Sequence, residues 1–317
     1  MQNEVLNVVS SSWVDFQAHK LLGAEVMWLD DGLIDGPVYS SHKKVLDENA
    51  YLIKDTDCFS ELEFDPGDQI TLVAERYGGD GIGLNAGGGR CGNTGRYQLK
   101  GIGATCMVGD FDDPIHTYGG LDAPLAILET IFTNLFSQLL PLGAVKIRGI
   151  IYVGAKTAQY HGPERPCWGV IMMRDRCTRP AHLLRAPHFV PRSPYQGLLT
   201  GDVGRIRKVN KQLYKSFGDY NGFVKFIGIY LKKCANQFGF ARAMRIMHGA
   251  LTPSNITLDG RWLDLPIASM LDGGVNYWLY REFYDEHRGP LEVARELLYG
   301  YAKYNAAPYN PPRYTQV

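Results

Sequence analysis

The sequence lacks any charge imbalance: 33 Lys+Arg offset 33 Asp+Glu over 317 residues, for a formal net charge of zero. Affinity for polyphosphate scales with the phosphates neutralised, so neither nucleic acid nor an anionic membrane is an expected partner by bulk field. A C-x-x-C pair is also missing. The six cysteines, Cys58, Cys91, Cys106, Cys167, Cys177 and Cys234, are scattered, which suits reduced, buried thiols. With no charged-then-apolar order at the N-terminus, a cytoplasmic location is expected. The longest apolar stretch, Leu125 to Leu142, carries Glu129, Thr130, Thr133, Asn134, Ser137 and Gln138. It reads as a buried amphipathic helix, too polar to span a bilayer. Repeats are absent.

What is present suits a folded globule. Hydrophobic residues make up 45% and charged residues 21%, enough for a sizeable core. At this length two lobes are expected, with a cleft between them as the default site. Residues 1–66 read as short strands and irregular connections. Strand patterns follow at Gln69–Ala74, Arg96–Gly101, Lys146–Val153 and Gly169–Arg174, with a polar insertion (Asp110, Asp112, Asp113) and a long helix from Ala123 among them. Helical spacing then dominates in 204–217, 223–238 and 289–304. The fold class expected is α+β, with a β-rich N-lobe over 1–174 and a mainly helical C-lobe over 175–317. Arg205, Arg207, Lys208, Lys211 and Lys215 read as a solvated basic face, and the proline-containing tail 306–317 as extended or frayed.

Glycine is in surplus, at 36 residues against a background of roughly 7%. Eleven of them lie between Gly78 and Gly103, between two strands. Such a loop lets backbone N–H groups approach phosphate oxygens, which makes Gly87, Gly88, Gly89 and Arg90 a candidate phosphate cover. Gly81-Ile-Gly83-Leu-Asn-Ala86 matches a dinucleotide fingerprint, but three glycines follow where a helix must start, which disfavours that fold. Lys100 ends the next strand and Glu129 lies on the next helix. A strand lysine that holds phosphates, oriented by a helix glutamate, has this order. Farther on, Asn255 in His248-Gly-Ala-Leu-Thr-Pro-Ser-Asn255 and Asp264 in Leu263-Asp-Leu-Pro266 would offer hard oxygens to magnesium. His248 and Gly249 are placed to brace that loop, and Asp259 falls in an Asp-Gly turn.

These residues resemble a known family, the selenoprotein O protein adenylyltransferases, which have a protein-kinase-like fold. Tyr97-Gln-Leu-Lys-Gly-Ile-Gly103 is similar to the family's L-Q-L-K-G-A-G and implies that Lys100 contacts phosphate. Glu129 falls where the family has the glutamate of its R-E-F helix. Gly169-Val-Ile-Met-Met-Arg174 resembles the strand that ends in a phosphate-binding arginine, and Ala181-His-Leu-Leu-Arg185 the S-H-I-R segment that supplies another. His248 to Asn255 resembles H-G-V-x-N-T-D-N, and Leu263-Asp-Leu-Pro266 resembles I-D-Y-G-P, which implies Asn255 and Asp264 as metal ligands. The likeness covers about 190 residues, from Tyr77 to Pro266. Two departures stand out. Ser254 occupies the position of the family's proposed catalytic base, and Pro266 replaces the glycine of I-D-Y-G-P.

The expected function is therefore ATP-dependent transfer, with Mg2+ or Mn2+, of AMP or a phosphoryl group to a protein, peptide or small-molecule acceptor. Lys100, Arg174 and Arg185 would hold phosphates and Glu129 would orient Lys100. Ser254 cannot remove a proton unaided at neutral pH. A preformed anionic acceptor such as a carboxylate needs little proton abstraction in a loose transition state. The alternative is a catalytically impaired nucleotide-binding module that serves a partner enzyme.

Overall fold

The computed structural model describes residues 2–111, 117–160, 162, 164–199, 202–271 and 285–305. An eight-stranded sheet is built from β1 (Val14–Leu21), β2 (Glu25–Leu29), β3 (Tyr51–Leu52), β4 (Phe64–Ala74), β5 (Cys91–Asn93), β6 (Tyr97–Lys100), β7 (Ile147–Gln159) and β8 (Pro166–Asp175). Its order is β2-β7-β8-β6-β5-β4-β1-β3, antiparallel throughout. Helices α1 (Gln2–Ser10), α2 (Val38–Asn49) and α3 (Ala123–Leu139) accompany the strands. The chain then turns mainly helical, with α4 (Gln196–Leu199), α5 (Asp202–Phe217), α6 (Tyr220–Ala243) and α7 (Gly289–Asn305). A small pair, β9 (Ile246–Met247) and β10 (Ser269–Met270), brackets the 248–264 segment. The molecule is α+β, as its sequence leads one to expect.

Period-two alternation sorts β8 between the two faces of the sheet. Ile171 and Met173 join Leu99, Ile151 and Leu52 in one apolar cluster. Val170 and Met172 face the other way and pack with Ala123 and Ala126 of α3. A separate and larger cluster joins α1, α5, α6, α7 and the C-terminal end of α3 around Phe223, Tyr230, Trp262 and Tyr301. Trp262 is fully buried there, edge-on to Phe136 and beside Phe238.

Three expectations change. The first 66 residues contain two helices as well as strands. The buried side of α2 is Ser41, Val45 and Asn49, so the four-residue spacing is present but only one apolar residue marks it. Helix α3 starts where expected, capped by the Asp122 carboxylate accepting from Leu125 N–H at 2.9 Å, with Pro124 in its first turn. Its two sides are mixed in character, however: Ala123, Ala126 and Phe136 are buried as an amphipathic helix requires, but large aliphatic residues also face out. Glu129, Thr130 and Thr133 are buried, while Ile127, Leu128, Ile131 and Leu135 are exposed. Arg205 does not share a solvated face: it is 5% exposed, pairs with Asp202, and donates to the carbonyls of His182 and Leu184.

Among the described residues no helix is long and apolar enough to cross a membrane. Asp112, Asp113 and the tail 306–317 lie outside the described residues.

Candidate functional site

Strand β6 sends Tyr97 and Leu99 into the sheet cluster, so alternation turns Gln98 and Lys100 to the face that carries α3. On β8, Arg174 pairs in register with Gln98, and Met172 with Lys100. Three elements thus meet at one point. Lys100 Nζ lies 2.9 Å from Glu129 Oε2 and 2.5 Å from Asp264 Oδ1. Arg174 Nη1 is 3.1 Å from Asp264 Oδ1 and 3.5 Å from Glu129 Oε1. Lys100, Glu129 and Arg174 are 6%, 2% and 2% exposed, a depth at which ions persist only when paired. Burial alone would raise the Asp264 carboxyl, but Arg174, Lys100 and Arg179 hold it well below the usual carboxylate range.

A polar network lies beneath these charges. Gln98 Oε1 accepts from Arg174 Nε at 2.7 Å and from Arg179 Nη2 at 3.0 Å, and Gln98 Nε2 donates to Glu75 at 2.8 Å. One amide oxygen therefore sets two guanidiniums side by side. Glu75, 1% exposed, also accepts from Asn93 and lies 3.4 Å from His182 Nε2. Burial would raise the Glu75 carboxyl, but His182, Arg179 and Asn93 carry it down to about 2.

The opposite wall is the 248–264 segment, fixed by a buried imidazole. His248 Nε2 lies 3.2 Å from Asn255 O and 3.1 Å from Leu263 O, while Nδ1 accepts from Ala250 N–H at 3.3 Å. Two carbonyls at one nitrogen and an N–H at the other require the neutral Nε2–H tautomer. Burial pushes the imidazole down to about 4 against the opposing pull of those carbonyls. His248 therefore ties Asn255 to the residue before Asp264. Asp264 itself has φ 57°, a left-handed conformation costing about 1–3 kcal/mol in a non-glycine residue and persisting only where its surroundings over-determine it. Glu286 fastens the other end of the loop, accepting from His248 N–H and Gly249 N–H at 3.1 and 2.7 Å.

Between the walls lies a cleft of about 770 Å³, lined among others by Gly87, Gly88, Gly89, Arg90, Lys100, Arg174, Arg179, Ser254, Asn255 and Asp264. The volume is within the range of small-molecule sites. The glycine segment is its roof, pinned by Gly78 N–H to Ala181 O, Gly79 N–H to Arg185 O and Ala86 N–H to Met107 O. At Gly87 a β-carbon would stand 1.9 Å from Glu75 O, so only glycine fits there.

Most of the predicted residues converge. Glu129 stands behind Lys100, and Gly87 to Arg90, Lys100, Arg174, Ser254, Asn255 and Asp264 line the cleft. Arg185 does not join them. It is exposed and borders a separate outer hollow with Asp80, His188 and Glu296. The inward position belongs to Arg179, 1% exposed, which also donates to Ser254 O at 2.9 Å and lies over the Tyr77 ring. Gln98 is outside the expected set, although its two-residue offset from Lys100, which puts both on one face of β6, is a signal legible in the sequence. Arg179 was not, because it precedes a 3-10 turn (Pro180–Leu183) that no periodicity marks. Asp259 stays in its turn with Thr257 and Arg261. Compared with protein-family models and with curated proteins, the chain matches none.

Proposed function

We propose that this chain binds ATP with a divalent cation in the 770 Å³ cleft and transfers AMP or a phosphoryl group to a protein, peptide or carboxylate acceptor, in a two-lobed kinase-like fold of the selenoprotein O type. One observation carries the reading: Lys100, held between Glu129 and Asp264, lies beside Arg174 and under a glycine roof. The separate apolar clusters of the sheet and of the helices support the two-lobed view.

Asn255 and Asp264 both line the cleft and offer hard oxygens, which fits Mg2+ or Mn2+ held by two protein groups and completed by phosphate and water. Bound there, the ion would neutralise charge on the phosphates. Lys100, Arg174 and Arg179 would bind the phosphate oxygens, and Glu129 and Gln98 would orient them. For AMP transfer an acceptor oxygen attacks the α-phosphorus and pyrophosphate leaves with the bond electrons. A hydroxyl acceptor must also lose a proton, and Ser254 Oγ is occupied with Thr252 and Asn255. Asp264 is the one carboxylate among the described lining residues and is committed to cations. Both points favour an acceptor that arrives as an anion, in which case no proton need be taken.

The same two points favour a second reading, a nucleotide-binding subunit without catalysis. Incubation with α-labelled and γ-labelled ATP, with a panel of proteins, peptides and carboxylates, separates the cases. α-Label on an acceptor supports AMP transfer, and γ-label phosphoryl transfer. Binding by calorimetry without either label on any acceptor supports the subunit, and no binding refutes the nucleotide site.

A further inference from the structure

Helix α3 buries Glu129, Thr130 and Thr133 and bares four large aliphatic side chains, Ile127, Leu128, Ile131 and Leu135. The buried positions are Ala123, Ala126, Glu129, Thr130, Thr133 and Phe136. The exposed positions are Pro124, Ile127, Leu128, Ile131, Asn134, Leu135 and Gln138, and at 100° per residue they form one stripe about 120° wide and about 20 Å long. None of them is charged. Ile131 is 56% exposed, Ile127 41%, and Trp168, beside Ile127 in a shallow groove with Met27 and Pro166, 57%. Together the bare side chains present roughly 600 Å² of apolar surface, the upper end of what a monomer leaves uncovered. With Pro124, Pro166, Asn134 and Gln138 the patch reaches about the 800 Å² per partner that a stable interface buries.

We propose that this face is the interface of a symmetric dimer of the chain. The exposed positions are spaced symmetrically about Ile131, at three, four and seven residues to either side: Ile127 mirrors the equally aliphatic Leu135, while Leu128 is set against Asn134 and Pro124 against Gln138. A two-fold axis through Ile131 therefore sets each residue of one antiparallel helix against its mirror position on the other, as an isologous interface requires. It carries Trp168 and Met27 toward the C-terminal half of the facing helix. Charge points the same way. A hetero-partner is usually selected by complementary charge, and this stripe has none to complement. The chain's net charge of zero gives two copies no bulk repulsion. The interface would sit directly behind Glu129, so association stiffens the helix that holds Lys100.

Sedimentation equilibrium of the full chain from about 1 to 100 μM tests the proposal, alongside Ile131→Glu and Ile131→Cys. The wild type should associate to a dimer in this range, and Ile131→Glu, which forces a charge into the centre, should weaken association at least about 100-fold. Its low-concentration Tm should stay within a few degrees of wild type, because Ile131 is an exposed helix position. At the two-fold axis residue 131 meets itself, so Ile131→Cys should form a covalent dimer under mild oxidation that the wild type, with its native cysteines, does not. A wild-type monomer at 100 μM overturns the proposal. So does a dimer that Ile131→Glu leaves intact, or an Ile131→Cys dimer that does not cross-link.

Discussion

Replacing Glu286 by Gln should expose an acid sensitivity that the wild-type protein hides. Two titrating groups meet at the root of the 248–255 loop. Burial pushes His248 from 6.5 down to about 4, and burial pushes Glu286 from 4.5 up to about 7, against the pull of the Gly249 and His248 N–H groups. Between pH 6.5 and 4 the unfolded chain protonates its histidine while folded His248 stays neutral, so the unfolded state holds more protons and stability falls as pH falls. Shifted by this much, the imidazole accounts for a loss of about 3 kcal/mol across the window. For Glu286 the sign reverses. Between pH 7 and 4.5 the folded carboxyl keeps a proton the unfolded one has lost, so stability rises as pH falls, again by about 3 kcal/mol. In the wild type the two slopes oppose each other, so this pair should leave a weaker pH dependence from pH 6.5 to 4.5 than either group alone. Glu286→Gln keeps an acceptor oxygen for one of the two N–H donors and removes the titrating proton, so beyond a uniform loss of stability it should lose about 3 kcal/mol over that interval. His248→Gln should be less stable overall, yet gain stability as pH falls. Urea midpoints at pH 4.5, 5.5 and 6.5 measure the slopes directly. A flat profile in Glu286→Gln would refute the assignment of neutral, buried His248.

The other expectations concern the cleft and its roof. If the cleft binds ATP as proposed, Lys100→Met should weaken binding by calorimetry at least about 10-fold, since it removes a buried cation from the cleft wall. Arg179→Met should cost a similar factor while Arg185→Met changes affinity less than about 2-fold; the reverse order would return the phosphate contact to the exposed arginine. Gly87→Ala drives a methyl group into Glu75 O at 1.9 Å and should lower stability by about 2–4 kcal/mol, read as a urea midpoint. Trp262→Ala empties a fully buried site between Phe136, Phe238 and His248 and should cost about 3–5 kcal/mol.

The legibility of these features in the sequence follows the range of the interactions that produce them. Strands β6 and β8 and helix α3 were readable because alternation, a cap and a proline are local signals. So was the convergence of Lys100 with Glu129 and Asp264, because the order strand, glycine loop, lysine strand and helix constrains where they can go. Helix α2 escaped notice because Ser41 and Asn49 fill two of its three buried positions, and hydrophobic pattern is blind to polar burial. Glu129 of α3 reaches Lys100 as its place after the lysine strand suggests, but the pattern gives no sign that Ile127, Leu128, Ile131 and Leu135 face out, because a full run of apolar residues looks buried whichever way it points. Arg179 and Arg205 were missed because a buried guanidinium is specified by carbonyls and carboxylates contributed from distant segments, Ser254 and Gln98 for one, His182, Leu184 and Asp202 for the other.

Zero net charge conceals a local imbalance that decides what the cleft can attract. Among the described lining residues Arg90, Lys100, Arg174 and Arg179 face one carboxylate, Asp264, with Glu129 behind Lys100. That carboxylate is itself needed, since without it three buried cations would have only Glu129 and the more distant Glu75 to offset their repulsion in a medium of low dielectric. Asp264 therefore has two incompatible demands on its oxygens: it holds Lys100 and Arg174 together, and it would also have to ligate a cation. On the proposed function, phosphate would relieve the conflict, because oxygens that arrive with their own negative charge would take over the pairing of Lys100 and Arg174 and release Asp264 for a metal. On this argument nucleotide and divalent cation should bind with positive coupling: ATP should raise Mn2+ affinity, measured by the paramagnetic signal of the free ion, and Asp264→Asn should abolish the coupling while leaving triphosphate bound. Equal Mn2+ affinity with and without ATP in the wild-type protein would show that Asp264 serves the buried cations alone.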